Sequence, residues 1–279
     1  MTRTHTTRSR VWLVTGASRG LGRAFTEAAL GAGDRVIGTA RDVTPLDELA
    51  DQHVERLVTF PLDVSDRSAV MATVDKAVAT FGRLDVVVNN AGGFLFGMLE
   101  EATEEQARAH LDTNFFGALW VAQAVVPHLR AQGSGHILQV SSMGSGGGFA
   151  SVGLYAAGKS ALDSMSEALA MEVEPFGIKV TILQPGSYAT ELFTRGTTAT
   201  TANDAYADLR AQLAEMWAES RDPRPEEAAP VVLDVARMPD PPKRLVLGSA
   251  SYDMVQDMLA ARATELRRWE QLSRRAGAA

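Results

Sequence analysis

Short runs of β-branched and aliphatic residues recur along the chain, and the stretches between them carry apolar residues at helical spacing. The runs are Val11–Val14, Arg35–Thr39, Leu57–Phe60, Asp85–Val88, His136–Val140, Lys179–Leu183 and Arg244–Leu247. Continuous apolar runs of this length are what parallel strands show when helices cover both faces of their sheet. Seven of them alternating with helical segments predict an α/β fold with a doubly wound sheet of about seven parallel strands. Helices are predicted to open near Gly20, Leu46, Asp66, Glu104, Leu154 and Pro225. Ser65 is the expected cap before Asp66, and Thr103 the expected cap before Glu104.

Two stretches break this rhythm. Residues 143–153 are rich in Gly and Ser and are expected to form a loop at the carboxyl edge of the sheet. Residues 187–225 follow the sixth strand, with a Thr-rich segment at 194–201 and an amphipathic helix expected over 205–219. Ligands of open α/β sheets bind outside the carboxyl ends of the strands, so this insertion is expected to be a substrate lid. Residues 251–276 read as one long C-terminal helix and residues 1–9 as a disordered tail, leaving 10–279 as a single domain.

Composition narrows the class. With 46% hydrophobic and 22% charged residues, the chain has an ordinary globular balance. A net charge of −7 argues against nucleic acid or an anionic membrane as partner. The absence of cysteine excludes disulfides and thiolate metal sites. The five histidines, His5, His53, His110, His128 and His136, show no metal-ligand spacing, so no metal is expected. The polar N-terminus lacks the apolar core of a signal peptide, and no run approaches the ~20 apolar residues of a membrane span. A cytoplasmic protein is expected.

The chemistry lies in loops at the ends of the strands. Directly after the first run comes Thr15-Gly-Ala-Ser-Arg-Gly-Leu-Gly22. Glycines at 16, 20 and 22 let a strand–loop–helix turn approach a pyrophosphate at the helix N-terminus, as in Rossmann-like domains. Further on, Tyr155 and Lys159 stand four residues apart, which puts them on one face of a predicted helix. A free tyrosine titrates near pH ~10, too high for proton transfer at neutrality. A cation about 4–5 Å away stabilises the phenolate by roughly 3–4 kcal/mol at an effective dielectric of ~20. Lys159 is therefore expected to lower the Tyr155 pKa into the range of a general acid or base. Ser142, thirteen residues before the tyrosine, adds a hydroxyl that can hold a carbonyl or alcohol oxygen.

Together these residues resemble the short-chain dehydrogenase/reductase family over about Val11 to Gly248. The family's acidic residue after the third strand matches Asp63, followed by Val64, and its Asn-Asn-Ala-Gly motif matches Asn89, Asn90, Ala91 and Gly92. Its active-site asparagine falls on Asn114, and its Pro-Gly-x-x-x-Thr motif on Pro185, Gly186 and Thr190. The resemblance implies an oxidoreductase that interconverts a carbonyl and its alcohol with a nicotinamide cofactor. Ser142 would polarise the substrate oxygen and Tyr155 would exchange the proton. Lys159 would lower the tyrosine pKa and bind the nicotinamide ribose, and Asn114 would hold a water linking the lysine to solvent. Asn114 bonding its own backbone at a helix bend is a compatible alternative. Implied cofactor contacts fall on Gly16, Ser18, Arg19, Gly20, Leu21, Gly22, Asp63, Val64, Asn90, Ala91, Gly92, Tyr155, Lys159, Pro185, Gly186 and Thr190. Relatives pair through the helices carrying Asn114 and Tyr155, so a homodimer or homotetramer is expected.

The end of the second strand reads Gly38-Thr39-Ala40-Arg41-Asp42. Ala40 fills the slot where NAD-preferring relatives carry an acid. Arg41 and Arg19 then make an expected clamp for the 2′-phosphate of NADP, which is favoured over NAD. The alternatives are Arg41 paired to Asp42, or Asp42 accepting an NAD ribose hydroxyl. Phe94, Met143, Phe149, Tyr188, Leu192 and Phe193 are expected to line the substrate pocket, with Leu95, Phe96, Val152, Leu154, Met216 and Trp217 near them. Such a lining suits a small hydrophobic ketone, aldehyde or alcohol. A non-catalytic NADP-sensing regulator on the same fold is the rival reading; retention of Ser142, Tyr155, Lys159 and Asn114 argues for the enzyme.

Overall fold

The structure is a computed structural model that describes residues 9–218 and 222–277. In chain order its elements are β1 (Val11–Thr15), α1 (Gly20–Gly31), β2 (Arg35–Ala40), α2 (Asp47–Gln52), β3 (Leu57–Pro61), α3 (Arg67–Phe81), β4 (Val86–Asn89) and β5 (Phe94–Phe96). There follow α4 (Glu104–Leu111), α5 (Gly117–Gln132), β6 (Gly135–Val140), α6 (Gly153–Val173), β7 (Ile178–Pro185) and β8 (Thr197–Ala199). The chain continues through α7 (Ala207–Ala218), α8 (Pro225–Arg237), β9 (Arg244–Leu247), α9 (Ser249–Arg268) and α10 (Glu270–Arg275).

Seven strands form one parallel sheet in the order β3-β2-β1-β4-β6-β7-β9. Each expected apolar run is one of these strands, because each is covered on both faces and cannot alternate with polar residues. Within β1, Trp12 and Val14 point into one apolar layer with Phe25 of α1 and Val232 of α8. Val11 and Leu13 point into the other, with Val74 of α3 and Val125 of α5. The strand order reverses between β1 and β4, and that switch point opens a crevice at their carboxyl ends.

Several local expectations are corrected. Asp66, not Ser65, caps α3: its carboxylate accepts from the Ala69 amide at 3.0 Å, while Ser65 turns back onto Asp63. Thr103 does cap α4, in a reciprocal box with Gln106. The continuous helix expected after Glu104 is interrupted by a π-turn at Asp112–Phe116, between α4 and α5. The lid contains the short strand β8, which pairs in parallel with β5. Its helix α7 starts at Ala207 after a tight turn at Asp204–Tyr206, and the expected end at Glu219 lies outside the described residues. The C-terminal helix is two, α9 and α10, meeting at Trp269. Of the expected tail, residues 1–8 lie outside the described residues, and the Ser9 hydroxyl donates to the Gly33 carbonyl at 3.0 Å. No helix among the described residues is long and apolar enough to cross a membrane.

Candidate active site

The glycine loop between β1 and α1 is shaped by contacts that tolerate no side chain. Gly16 has φ +65° and Gly20 φ +54°, both in the left-handed region that suits glycine. A Cβ on Gly22 would lie 2.2 Å from the Gly16 carbonyl oxygen. Gly22 is not among the residues lining the cleft, and its missing side chain lets α1 close onto the loop. Asn90 pins the loop from β4, its side-chain amide donating to the carbonyls of Thr15 (2.9 Å) and Gly16 (3.2 Å). The Thr15 hydroxyl accepts from the amides of Asn90 and Ala91, both at 3.0 Å. No side chain caps α1, and the cleft is lined there by Gly20 and Leu21 of its first turn.

From this loop a cleft of about 640 Å³ runs along the carboxyl edge of the sheet. Ser18, Arg19, Leu21, Arg41, Asp63, Val64 and Ala91 line one end, Gly92 lies toward the other, and Pro185, Gly186 and Thr190 also line the cleft. The Asp63 carboxylate is partly buried, which raises its pKa, but two hydrogen bonds from Ser65 and the nearby Arg41 outweigh this and hold it below the usual value. Asp42 is engaged by the amide and hydroxyl of Thr44, at 3.0 and 2.7 Å, so the alternative pairing of Arg41 with Asp42 does not form. Arg19 does not stand free beside Arg41. It reaches across the cleft to Glu191 on the lid, at 3.4 Å, and Arg195 approaches the other oxygen of the same carboxylate at 3.8 Å. Glu191 was not legible as a site residue, because its partner lies 172 positions away.

The other end of the cleft gathers Asn114, Ser142, Tyr155 and Lys159. Ser142 follows β6, and its hydroxyl accepts from the Gly144 amide at 3.1 Å. Its neighbour Ser141 is turned inward, donating to the Lys159 carbonyl at 3.4 Å. Tyr155, in the first turn of α6, packs its ring edge-on to Phe94, with centroids 4.8 Å apart. Lys159 is buried one turn further on and donates to the Val140 carbonyl at 2.9 Å. Burial lowers its pKa to about 8, against the opposing charge of Asp163.

The expected lowering of the Tyr155 pKa is not what this geometry gives. Burial raises it, a hydrogen bond with Ser142 opposes the rise, and Lys159 Nζ lies 6.0 Å from the ring centroid while donating to the Val140 carbonyl. The π-turn tips Asn114 toward this group. Its side-chain amide donates to the His110 carbonyl at 3.0 Å, the expected helix-bend bond, and to His110 Nδ1 at 3.2 Å. Its oxygen accepts from the Gly93 amide at 3.3 Å. Gly92 is required here, since a Cβ would meet Asn114 Oδ1 at 2.8 Å and Lys159 Nζ at 3.5 Å. The two polar atoms thus lie close together on the same side of Gly92.

Phe94, Met143, Phe149, Tyr188, Leu192 and Phe193 all line the cleft, joined by Val152 and Trp217. Leu95, Phe96, Leu154 and Met216 do not; Leu95 is buried and Met216 is exposed. Phe94 contacts both Tyr155 and Phe193, and Phe96 contacts Trp217 of α7, so β5 carries an aromatic ladder from catalytic end to lid. Among the described residues no cluster of His, Asp and Glu has the makings of a metal site.

Residues 10–200 match the family model described as short chain dehydrogenase. A solved short-chain dehydrogenase from Streptomyces avermitilis is 39% identical, covering 97% of this chain and all of its own, with a TM-score of 0.91. Oxidoreductase BOA17 of Botryotinia fuckeliana is 36% identical over 269 residues, 95% of this chain and 98% of the relative. A solved short chain dehydrogenase from Burkholderia cenocepacia, in complex with NADP, is 25% identical over 94% of this chain and 97% of its own, with a TM-score of 0.75.

Proposed function

The chain belongs to the short chain dehydrogenase family, and from that premise we propose that it is an NADP(H)-dependent oxidoreductase interconverting a hydrophobic ketone or aldehyde and its alcohol. The observation that carries this reading is the convergence of Ser142, Tyr155, Lys159 and Asn114 at one end of a cleft whose other end is an uncapped glycine loop. The residues fit a dinucleotide: the close packing at Gly16 and Gly22 leaves backbone, not side chain, facing a pyrophosphate. When bound, the nicotinamide supplies or accepts the hydride.

The protein's own residues handle the oxygen and its proton. The Ser142 hydroxyl holds the substrate oxygen against the Tyr155 phenol. In reduction Tyr155 donates its proton to that oxygen, and in oxidation it takes one. Lys159, with a pKa of about 8, is mostly cationic at neutral pH and stands one helical turn from the Tyr155 that exchanges the proton. Asn114 Oδ1 and Lys159 Nζ, close together beside Gly92, hold the water through which the proton is replaced.

For the cofactor, Arg41 just past the end of β2 and Arg19 in the glycine loop, both lining the cleft, support NADP. For the substrate, the aromatic ladder of Phe94, Phe96, Phe193 and Trp217 supports an apolar molecule. Arg195, which also lines the cleft, is paired to Glu191. The test is NADPH and NADH oxidation against a panel of apolar and acidic ketones, followed at 340 nm. Turnover of apolar ketones with higher kcat/KM for NADPH is expected. Tight NADPH binding with no turnover of any ketone would favour a sensor instead.

A further inference from the structure

One buried carboxylate, outside the cleft, joins the three segments that carry its catalytic end. The geometry points to Asp163 as a positioning residue, whose charge keeps Lys159 cationic and whose hydrogen bonds hold the Ser142 loop against the Tyr155 helix. The inference rests on the reading of Tyr155 and Lys159 as the proton-transfer pair.

Asp163 lies one turn beyond Lys159 on α6, so the two side chains share a helix face. It is 7% exposed and does not line the cleft. Its Oδ2 accepts from the Ser145 hydroxyl at 2.7 Å, three residues after Ser142 in the chain. The same oxygen accepts from Gln184 Nε2 at 3.1 Å, immediately before Pro185 and Gly186. Gln184 Nε2 also donates to Ser145 Oγ at 2.7 Å, closing a triangle of buried groups. The third partner of the carboxylate is Arg244 on β9. One atom therefore fixes the serine loop, the catalytic helix and the strand that crosses the cofactor end.

The charge balance favours more than a structural ion pair. Arg244 is shared, since its other nitrogen binds Glu167 at 2.7 Å. One guanidinium faces two carboxylates, and part of the Asp163 charge is left for Lys159. Lys159 is 5% exposed and has one neutral acceptor, the Val140 carbonyl. Facing Lys159 are Asp163 and Tyr155 on α6 and His110 on α4. Facing Asp163 are Lys159 and Glu167 on α6 and Arg244 on β9. Of these, only Asp163 stabilises the ammonium of Lys159 by charge; burial acts against it.

The test is the pH dependence of kcat and KM from about pH 6 to 10 for wild type, Asp163→Asn, Asp163→Glu, Ser145→Ala and Arg244→Gln. The alkaline limb of kcat for ketone reduction reports proton loss from the Lys159–Tyr155 pair. In Asp163→Asn that limb should move down by about one pH unit, so that kcat above it falls about tenfold with little change in KM. Asp163→Glu keeps the charge and should leave the limb in place. Ser145→Ala removes a hydrogen bond without charge and should lower kcat at every pH alike. Arg244→Gln removes the competing cation and should move the limb upward. An unmoved limb in both Asp163→Asn and Arg244→Gln overturns the assignment. If circular dichroism finds Asp163→Asn unfolded, the direction of the Arg244→Gln shift decides alone. If wild type turns over no ketone, the functional reading fails separately. The Asp163 assignment is then read from NADPH binding by fluorescence, whose alkaline limb must still shift in these variants.

Discussion

Tyr155 sits in surroundings that raise its pKa through burial, with the Ser142 hydroxyl pulling the other way. Replacing it with Phe removes only the oxygen and keeps the packing on Phe94. Tyr155→Phe should therefore bind NADPH as wild type does by fluorescence titration and lose about 10²–10⁴-fold in kcat; residual activity near wild type would refute its role. Gly22 makes a different kind of prediction. In Gly22→Ala the new methyl would sit 2.2 Å from the Gly16 carbonyl oxygen and 2.4 Å from Asn90 Nδ2, so the loop must shift. A loss of about 1–3 kcal/mol in urea denaturation is expected, together with weaker NADPH binding. At Glu191 the expectation is a gain. Its bond to Arg19 is an exposed one, worth about 0–1 kcal/mol, and it occupies one arginine of the proposed 2′-phosphate clamp. Glu191→Gln should tighten NADPH by up to about fivefold and leave NADH affinity unchanged; equal effects on both would count against the clamp.

Besides the β5–β8 pairing, one acidic element end ties residues 187–225 to the body. Glu101, in the turn before α4, accepts from the amides of Met98 (2.8 Å) and Asn203 (2.9 Å), from the Thr200 hydroxyl (2.7 Å), and from Arg210 of α7. These bonds, the one from Arg210 foremost, hold its pKa at about 2 against an ordinary 4.5. Between those values the released lid binds more protons than the docked one, so docking is strongest above pH 4.5 and weakens as pH falls toward 2. Trp217 packs on Phe96 only while α7 is docked, so its fluorescence should report the release, with Trp217→Phe as blank. Glu101→Gln should show the released signal already at neutral pH. None of this anchoring was legible in the sequence, whereas the main sheet was. A buried parallel strand writes itself as an apolar run, but β5 and β8 have three residues each, too few for any period. The π-turn hid for a related reason: one extra residue in a turn does not disturb the apolar face before and after it. The candidate catalytic residues were legible because Tyr155 and Lys159 share a helix face and the family's motifs fall on Ser142 and Asn114. Glu191 on Arg19, and Arg244 on Asp163, are contacts made by the sheet's crossovers, and no local pattern encodes them. Asp163 itself, four residues after Lys159, could have been found from helical spacing.

For the molecule as a whole, two buried histidines set its tolerance of acid. His136 on β6 is 4% exposed and His110 on α4 is 8% exposed, and burial lowers each pKa from 6.5 to about 4. Nearby cations add to the effect: Lys159 at His110, and Lys179 with Arg10 at His136. His110 Nδ1 accepts from the Asn114 amide, which needs a neutral ring, and His136 Nε2 lies 2.9 Å from the Thr181 hydroxyl. A folded-state pKa below the unfolded one means that the unfolded chain binds the extra proton first as pH falls. Their stabilisation is therefore complete above pH 6.5 and is lost progressively as pH drops to about 4. Each contributes at most about 3 kcal/mol, and an order-of-magnitude ceiling for the pair is about 6 kcal/mol, comparable to the whole stability of many domains. Urea unfolding midpoints measured from pH 7 down to 4 should fall with a slope approaching two protons. Asparagine or glutamine at 110 and 136 should flatten that slope one proton at a time, even where the variant is less stable at pH 7. A wild-type midpoint that holds steady through this window would mean that one or both rings are already charged in the fold. In that event His110 could not accept from the Asn114 amide, and the orientation of Asn114 Oδ1 toward Lys159 would lose one of its supports.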